Sequence, residues 1–454
     1  MAEPGAASVP PLAGPADITH RRVMRIAAPI LLANITVPVL GAVDTAVVGQ
    51  LGEAAPIGAV GIGAVMLSSI YWVFAFLRMG TTGLAAQAHG QGDATETAAI
   101  LMRALAIAAA AGLGLIALQV PLTAGAFALA PASDEVEGMA RSYLVIRIWG
   151  APATIALYAV TGWLIATERT GAVLGLQLWI NGLNIGLDLW FVLGLGWGVE
   201  GVAVATLVAE WSGLALGLWI CRGAVAGGLR AGYARLTAPA PLRRMLTVNS
   251  DIMIRSVLLK GSLLAFVFLG AGFGDDTLAA NQVLFQFVNI VSFALDGFAF
   301  AAEALVGQAA GARSARTLGR AVLLSSVQAG IAAVLLATAF ALLGPKLIDI
   351  MVRDPTVQAV GREFLPWVVL LAVASLAPYM YDGFFIGTTA TREMRNTMLA
   401  AAAIYAGALF VLPGIWGNHG LWASFILLNV TRGIGQAFLW PGIARRAVAG
   451  PDPA

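Results

Sequence analysis

Gly162-Trp-Leu-Ile-Ala-Thr167 returns 221 residues later as Gly383-Phe-Phe-Ile-Gly-Thr388, and Gln87-Ala-His-Gly90 returns at the same offset as Gln308-Ala-Ala-Gly311. Trp197-Gly-Val-Glu-Gly201 over Trp416-Gly-Asn-His-Gly420 follows at an offset of 219. A single glycine match carries no weight. Collinear matches at nearly one spacing mark a chain built from two copies of one unit, running in the same direction.

The sequence around these motifs says what the unit is made of. Apolar stretches recur twelve times, from about residues 24–47 through 248–271 to 420–442, each near the roughly 20 residues that cross a bilayer as helix. Hydrophobic residues make up 59% of the 454, charged residues only 11%, and the mean hydropathy is +0.85. An ordinary soluble domain is about 25% charged. The expected fold is therefore an all-α polytopic membrane protein of 12 transmembrane helices. Two parallel six-helix lobes are related by an axis along the membrane normal.

Charge placement gives the expected orientation. Sixteen arginines, among them Arg21, Arg22, Arg25, Arg243, Arg244 and Arg446, fall in one set of connections, against Arg141, Lys346, Arg353 and Arg362 in the other. By the positive-inside rule both termini are cytoplasmic, in a cell inner membrane. The organisation is then a disordered tail over 1–17, an amino lobe over 18–221, a basic cytoplasmic linker over 222–247, a carboxy lobe over 248–446 and a short tail over 447–454. One cysteine, Cys221, excludes an internal disulfide, and His20, His89 and His419 form no zinc spacing with it. A net charge of +2 without a basic segment argues against nucleic-acid binding. No catalytic constellation or phosphate-binding loop appears, so the chain reads as no enzyme and as needing no cofactor.

Three stretches resemble the multidrug and toxic compound extrusion (MATE) transporters, in particular the branch of the DNA-damage-inducible F proteins. They are Val43-Asp-Thr-Ala-Val-Val-Gly-Gln-Leu-Gly52, Gln87-Ala-His-Gly90 and Leu295-Asp-Gly-Phe-Ala-Phe-Ala-Ala-Glu-Ala-Leu-Val-Gly-Gln308. The likeness runs from about residue 24 to 446. It implies an antiporter working by alternating access, exporting amphipathic, often cationic compounds against inward H+ or Na+, and the chain is expected to act as a monomer. Some relatives in the wider branch export organic anions such as citrate, and lipid-linked precursor flippases share the wider fold. Both remain alternatives.

Ionisable side chains inside spans cost about 2.5 to 3.5 kcal/mol at a helix centre, so they are candidates for function. Asp44 falls in the far half of the first helix, beyond Pro29 and Pro38, which remove helical hydrogen bonds and favour a bend. Asn184 and Asp188 share one face of the fifth span, and Thr206 lies across a short loop. Together they offer hard oxygen donors for a sodium ion or a shared proton, and their spacing resembles the amino-lobe cation site of the family's prokaryotic members. A buried structural hydrogen-bond network is the plainer alternative. In the carboxy lobe, Lys260, Asp296, Glu303 and Asp382 form a possible polar site, with Lys260 expected to pair with Asp296 or Glu303. Arg78, Arg147, Glu210 and Arg432 are expected to pair with one another or to sit near a helix end where they reach water. Aromatic residues such as Trp72, Phe285 and Tyr379 are spaced to line a cavity or to pack helices.

Overall fold

The computed structural model describes residues 18–50, 54–129 and 133–449. The tail over 1–17 and the last residues, 450–454, lie outside them. The described residues are helical almost throughout. The amino half comprises α1 (His20–Gly49), α2 (Ala54–Val73), α3 (Phe76–Gly90), α4 (Ala94–Ala117), α5 (Gln119–Leu129), α6 (Asp134–Arg147), α7 (Ala151–Ala166), α8 (Thr170–Asp188) and α9 (Gly198–Ile220). Two short helices, α10 (Arg222–Arg230) and α11 (Tyr233–Leu236), cross to the second half. There α12 (Pro239–Gly270), α13 (Asp275–Gly311), α14 (Ala315–Met351), α15 (Pro355–Ala374), α16 (Leu376–Gly387), α17 (Thr391–Trp416) and α18 (Asn418–Ala449) follow. The expected linker over 222–247 is thus itself largely helical, and its last residues already belong to α12.

Among the described residues ten helical stretches are long and apolar enough to cross a membrane, with α2 and α3, α6 and α7, and α15 and α16 each joined into one crossing. The terminal helices α1 and α18, 30 and 32 residues long, have the length of a crossing with a more polar composition. Six crossings fall in each half.

The repeat is visible in the packing. A Cβ on Gly162 would lie 2.3 Å from the Arg78 carbonyl oxygen, and one on Gly383 would lie 2.7 Å from that of Ala299. Residues 162 and 78 each shift by 221 to give 383 and 299, so the same crossing pair closes on the same glycine in both lobes. Asp93 and Ser314, also 221 apart, each cap the helix that follows through their side-chain oxygen. Between the lobes the contact is reciprocal. Gly90 admits the Gln308 carbonyl and Gly311 admits the Gln87 carbonyl, and an added Cβ would meet either oxygen at 2.1 Å. Such exchange of equivalent residues is what a pseudo-twofold axis between the lobes requires. Small residues at these crossings let backbones touch where no hydrophobic force favours one helix over lipid.

Both prolines stand inside α1, which continues through them as one helix from His20 to Gly49. The expected bend is therefore not a break. Pro29 has no N–H to give the Arg25 carbonyl, and the Thr170 hydroxyl donates to that oxygen instead (3.2 Å). Just before Pro38, the Asn181 amide donates to the carbonyl (3.2 Å) and hydroxyl (2.9 Å) oxygens of Thr36, tying α1 to α8.

Candidate functional site: intramembrane charges of the two lobes

In the amino lobe Asp44, Asn184, Asp188 and Thr206 come together. α8 ends at Asp188 and runs into a π-helical segment over Leu189–Gly194, a local widening of the helix that recurs at functional sites. Asn184 and Asp188 are fully buried. Oriented to satisfy its neighbours, the Asn184 amide nitrogen donates to Asp188 Oδ2 (3.1 Å) and Asp44 Oδ1 (3.2 Å), while its oxygen faces Thr206 Oγ1 (3.0 Å). Asp44 and Asp188 thus meet at the same amide nitrogen. Asp188 Oδ1 is buried without a hydrogen-bond partner. A buried oxygen left over in this way is an available acceptor or ligand. Turning the amide by a half-turn would direct three oxygens at one point. The donor set therefore fits a proton in one amide orientation and a small hard cation in the other.

Arg147 and Glu210 lie beside this cluster as a buried two-point ion pair (2.6 and 2.9 Å). Below them a cavity of about 350 Å3 reaches from Asn184 and Thr206 past Gln177 and Tyr158 to Arg78 and Phe300. Arg78 marks its inner limit. The guanidinium lies 3.7 Å above the Phe300 ring and forms an ion pair with Glu303 at 3.0 Å.

That pair corrects the expected partner of Lys260. Glu303 is held by Arg78 from the other lobe, and Lys260 forms no ion pair among the described residues. Its ammonium stands 5.5 Å from the centre of the Trp72 ring, a cation–π contact across the lobe boundary. Asp296, half-buried, likewise has no ion-pair partner there. Lys260, Asp296, Glu303 and Asp382 do line one cavity, of about 390 Å3, together with Tyr379 and Phe285.

Asp382 is saturated by cations. Its Oδ2 accepts from both Arg255 and Arg432 (2.7 Å for Arg432), and its Oδ1 accepts from Gln436 at 2.7 Å. Arg255 escaped the sequence reading, although it stands in the same apolar stretch as Lys260 and meets the same criterion. Two guanidiniums where a cation would bind leave Asp382 no open oxygen for one.

At the arginine-rich end, two sets of contacts join the lobes. Gln308 Nε2 donates to the Ala166 carbonyl and Gln87 Nε2 to the Gly387 carbonyl, each at 2.9 Å. Arg22 donates to Gln308 Oε1 (3.1 Å) and Arg244 to Gln87 Oε1 (2.8 Å). Among the described residues, hydrogen bonds between lobes occur only from this end up to Arg78–Glu303 and Asn34–Phe293. Toward Asp44 the lobes share none.

Comparison with known proteins agrees with this architecture. The MatE family model matches residues 29–190 and 252–410, one segment in each lobe. The chain belongs to the MatE family. It is 38% identical over 423 residues to the DNA damage-inducible protein F of Escherichia coli (strain K12), covering 93% of this chain and 92% of that one. A Deinococcus radiodurans protein described as "Probable multidrug resistance protein NorM" is 30% identical over 64% of each chain. Among solved structures, one titled as the outward-facing conformation of a multidrug resistance MATE family transporter superposes with a TM-score of 0.84 at 17% identity. It covers 93% of this chain and 96% of that one. The fold is thus that of the MATE transporters, twelve helices in two lobes, and the MatE protein described here is a membrane transporter of the multidrug efflux class and not an enzyme.

Proposed function

We propose that this MatE protein is an antiporter of the inner membrane, with both termini cytoplasmic, that exports amphipathic compounds in exchange for H+ or Na+ bound between Asp44 and Asp188. The observation that carries this reading is the pair of carboxyl groups sharing Asn184 within the amino lobe, with Asp188 Oδ1 unpartnered. Two carboxylates this close repel unless a proton or cation lies between them, so loading changes the local charge by one. Asn184 and Asn181 stand one turn apart on α8, and Asn181 holds α1 at Thr36. Charge at the pair is thereby linked to the helix whose prolines weaken its own ladder.

With the arginine-rich end cytoplasmic, the contacts of Gln87 and Gln308 close the inner side, and the cleft faces out. Ion loading drives export only if the loaded and empty forms favour different conformations. The test is efflux of a cationic dye by cells expressing wild type or Asp44→Asn at matched membrane levels. Asp44→Asn should insert normally and lose gradient-driven efflux. Wild-type efflux by this variant would refute the mechanism. Proteoliposomes given a pH gradient or a sodium gradient, each alone, distinguish the two ions.

A second reading concerns the substrate. The carboxy-lobe cavity is lined by Arg255, Lys260 and Arg432 against Asp296 and Asp382, since Arg78 and Glu303 neutralise each other. The surplus of positive charge favours an amphipathic compound with an anionic group in that lobe. Competition between a cationic dye and an anionic amphiphile for efflux separates this reading from the first.

A further inference from the structure

The arginine-rich end of the carboxy lobe holds another cavity, of about 690 Å3, away from both sites above. Arg243, Arg244, Asp251, Thr389, Arg392 and Glu393 line it. Its two acids already have guanidinium partners outside the lining. Asp251 binds Arg395 at 2.6 Å and Glu393 binds Arg446 at 2.6 Å. Glu96, whose charge acts on Arg244, is likewise held by Arg103 at 2.6 Å. Arg243, Arg244 and Arg392 form no ion pair among the described residues, and Arg244 donates only to the neutral Gln87 and Thr389.

The amino lobe shows what is missing. Arg21 and Arg22 occupy the places of Arg243 and Arg244, and Glu168 occupies the place of Thr389. Glu168 and Thr389 share a rare backbone conformation, with φ of 57° and 53°. In the amino lobe the Glu168 carboxylate receives Arg22 at 2.5 Å and Arg25 at 3.6 Å. In the carboxy lobe a threonine stands there and the arginines keep their charge. The chain supplies an anion to one copy of this arrangement and none to the other.

We propose that the cavity at Arg243, Arg244 and Arg392 binds a phosphate-type oxyanion that takes the place of the absent carboxylate. Guanidinium forks match phosphate oxygens in pairs, and basic pockets between helices at a membrane face hold anionic headgroups. Arg244 also donates to Gln87 across the lobe boundary, so the bound oxyanion is one residue from the contact that closes this end. A phospholipid headgroup and free phosphate share this chemistry.

The experiment is native mass spectrometry of the full chain in neutral detergent, delipidated and titrated with phosphatidylglycerol, phosphatidylcholine or inorganic phosphate. Wild type should hold one phosphatidylglycerol more tightly than any phosphatidylcholine. The Arg243→Gln/Arg392→Gln variant should bind it roughly thirtyfold more weakly. Thr389→Glu should lose that site altogether, and the backbone accepts the change because Glu168 already adopts it. Displacement of the lipid by millimolar phosphate assigns the site to soluble phosphate. Retention assigns it to the headgroup, and both support the proposal. Equal affinity for the two lipids in wild type together with no retention of inorganic phosphate, or unchanged phosphatidylglycerol and phosphate binding in both variants, overturns it. Asp44 is untouched in these variants, so failure here leaves the coupling reading standing.

Discussion

Arg78 and Glu303 meet at 3.0 Å across the lobe boundary, the carboxylate side chain 2% exposed and the guanidinium 8%. They stand where the amino-lobe and carboxy-lobe cavities approach each other. A buried pair gains little over an apolar one, but removing one partner strands the other charge and costs about 3 to 5 kcal/mol. Glu303→Ala and Arg78→Ala should each lower the unfolding temperature in detergent markedly. The double variant should fall much less than the sum of the two, and tryptophan fluorescence on heating reads the cycle. Additive losses would mean that the two charges act independently.

Asp382 gives a different expectation, because it has three partners. Arg255→Met leaves it held by Arg432 and Gln436, whereas Asp382→Asn exposes two buried guanidiniums to each other. Asp382→Asn should therefore destabilise the protein by more than Arg255→Met. Sodium should not protect the carboxy lobe from thermal unfolding in the wild type, since the carboxylate already holds two built-in cations. A sodium-dependent rise in stability that vanishes in Asp382→Asn would contradict this.

The contacts of Gln87 and Gln308 predict a shift of conformation. Each amide spans from one lobe to a backbone carbonyl of the other and accepts from an arginine, and Gln87 also donates to the Thr389 hydroxyl, so Gln87→Ala/Gln308→Ala removes five hydrogen bonds. Each is worth about 0.5 to 1.5 kcal/mol, with those from arginine nearer 1.5 to 3. A loss of this size suffices to repopulate a two-state equilibrium. Spin labels at positions 169 and 392, in a Cys221→Ser background, should report longer distances in the double variant than in wild type. An unchanged distribution would show that the glycine contacts, with Arg320 on the Ile18 carbonyl and Gln328 on His20, suffice to hold this end closed.

The residues of the amino-lobe site were legible because their geometry is local. Asn184 and Asp188 are one turn apart, and a short loop returns the chain to Thr206. Asp44 joined them as a second intramembrane carboxylate, a grouping that the family resemblance supports. The partner of Glu303 was not legible, since Arg78 lies 225 residues away and meets it only because the pseudo-twofold axis passes between α3 and α13. Lys260, nearer in sequence, faces Trp72 instead. Glutamine motifs at 87 and 308 announced the repeat, yet nothing in them said that each copy bonds to the other's lobe. That follows from the axis and not from the motif.

The last prediction concerns Asn184, which stands between both carboxyl groups of the amino lobe. With its nitrogen toward Asp44 and Asp188 it donates to each, and with its oxygen toward them it adds a third ligand oxygen. A proton-coupled site needs the first arrangement and a sodium-coupled site the second, so one substitution separates them. In Asn184→Asp the side chain keeps its size and can only place oxygens toward its neighbours unless it is protonated. Sodium-driven efflux should survive this change or strengthen, because a third hard anionic donor favours the cation. Proton-driven efflux should fall at least tenfold at neutral pH, because a third carboxyl group replaces the amide that donates to both carboxylates and alters the charge that one proton must balance on each cycle. Thr206→Val removes the contact at 3.0 Å that steadies the amide, and it should give a milder loss under either gradient. Efflux from proteoliposomes at matched protein content, measured under each gradient separately, reads the outcome. Equal activity of Asn184→Asp and wild type under both gradients would remove Asn184 from the coupling site.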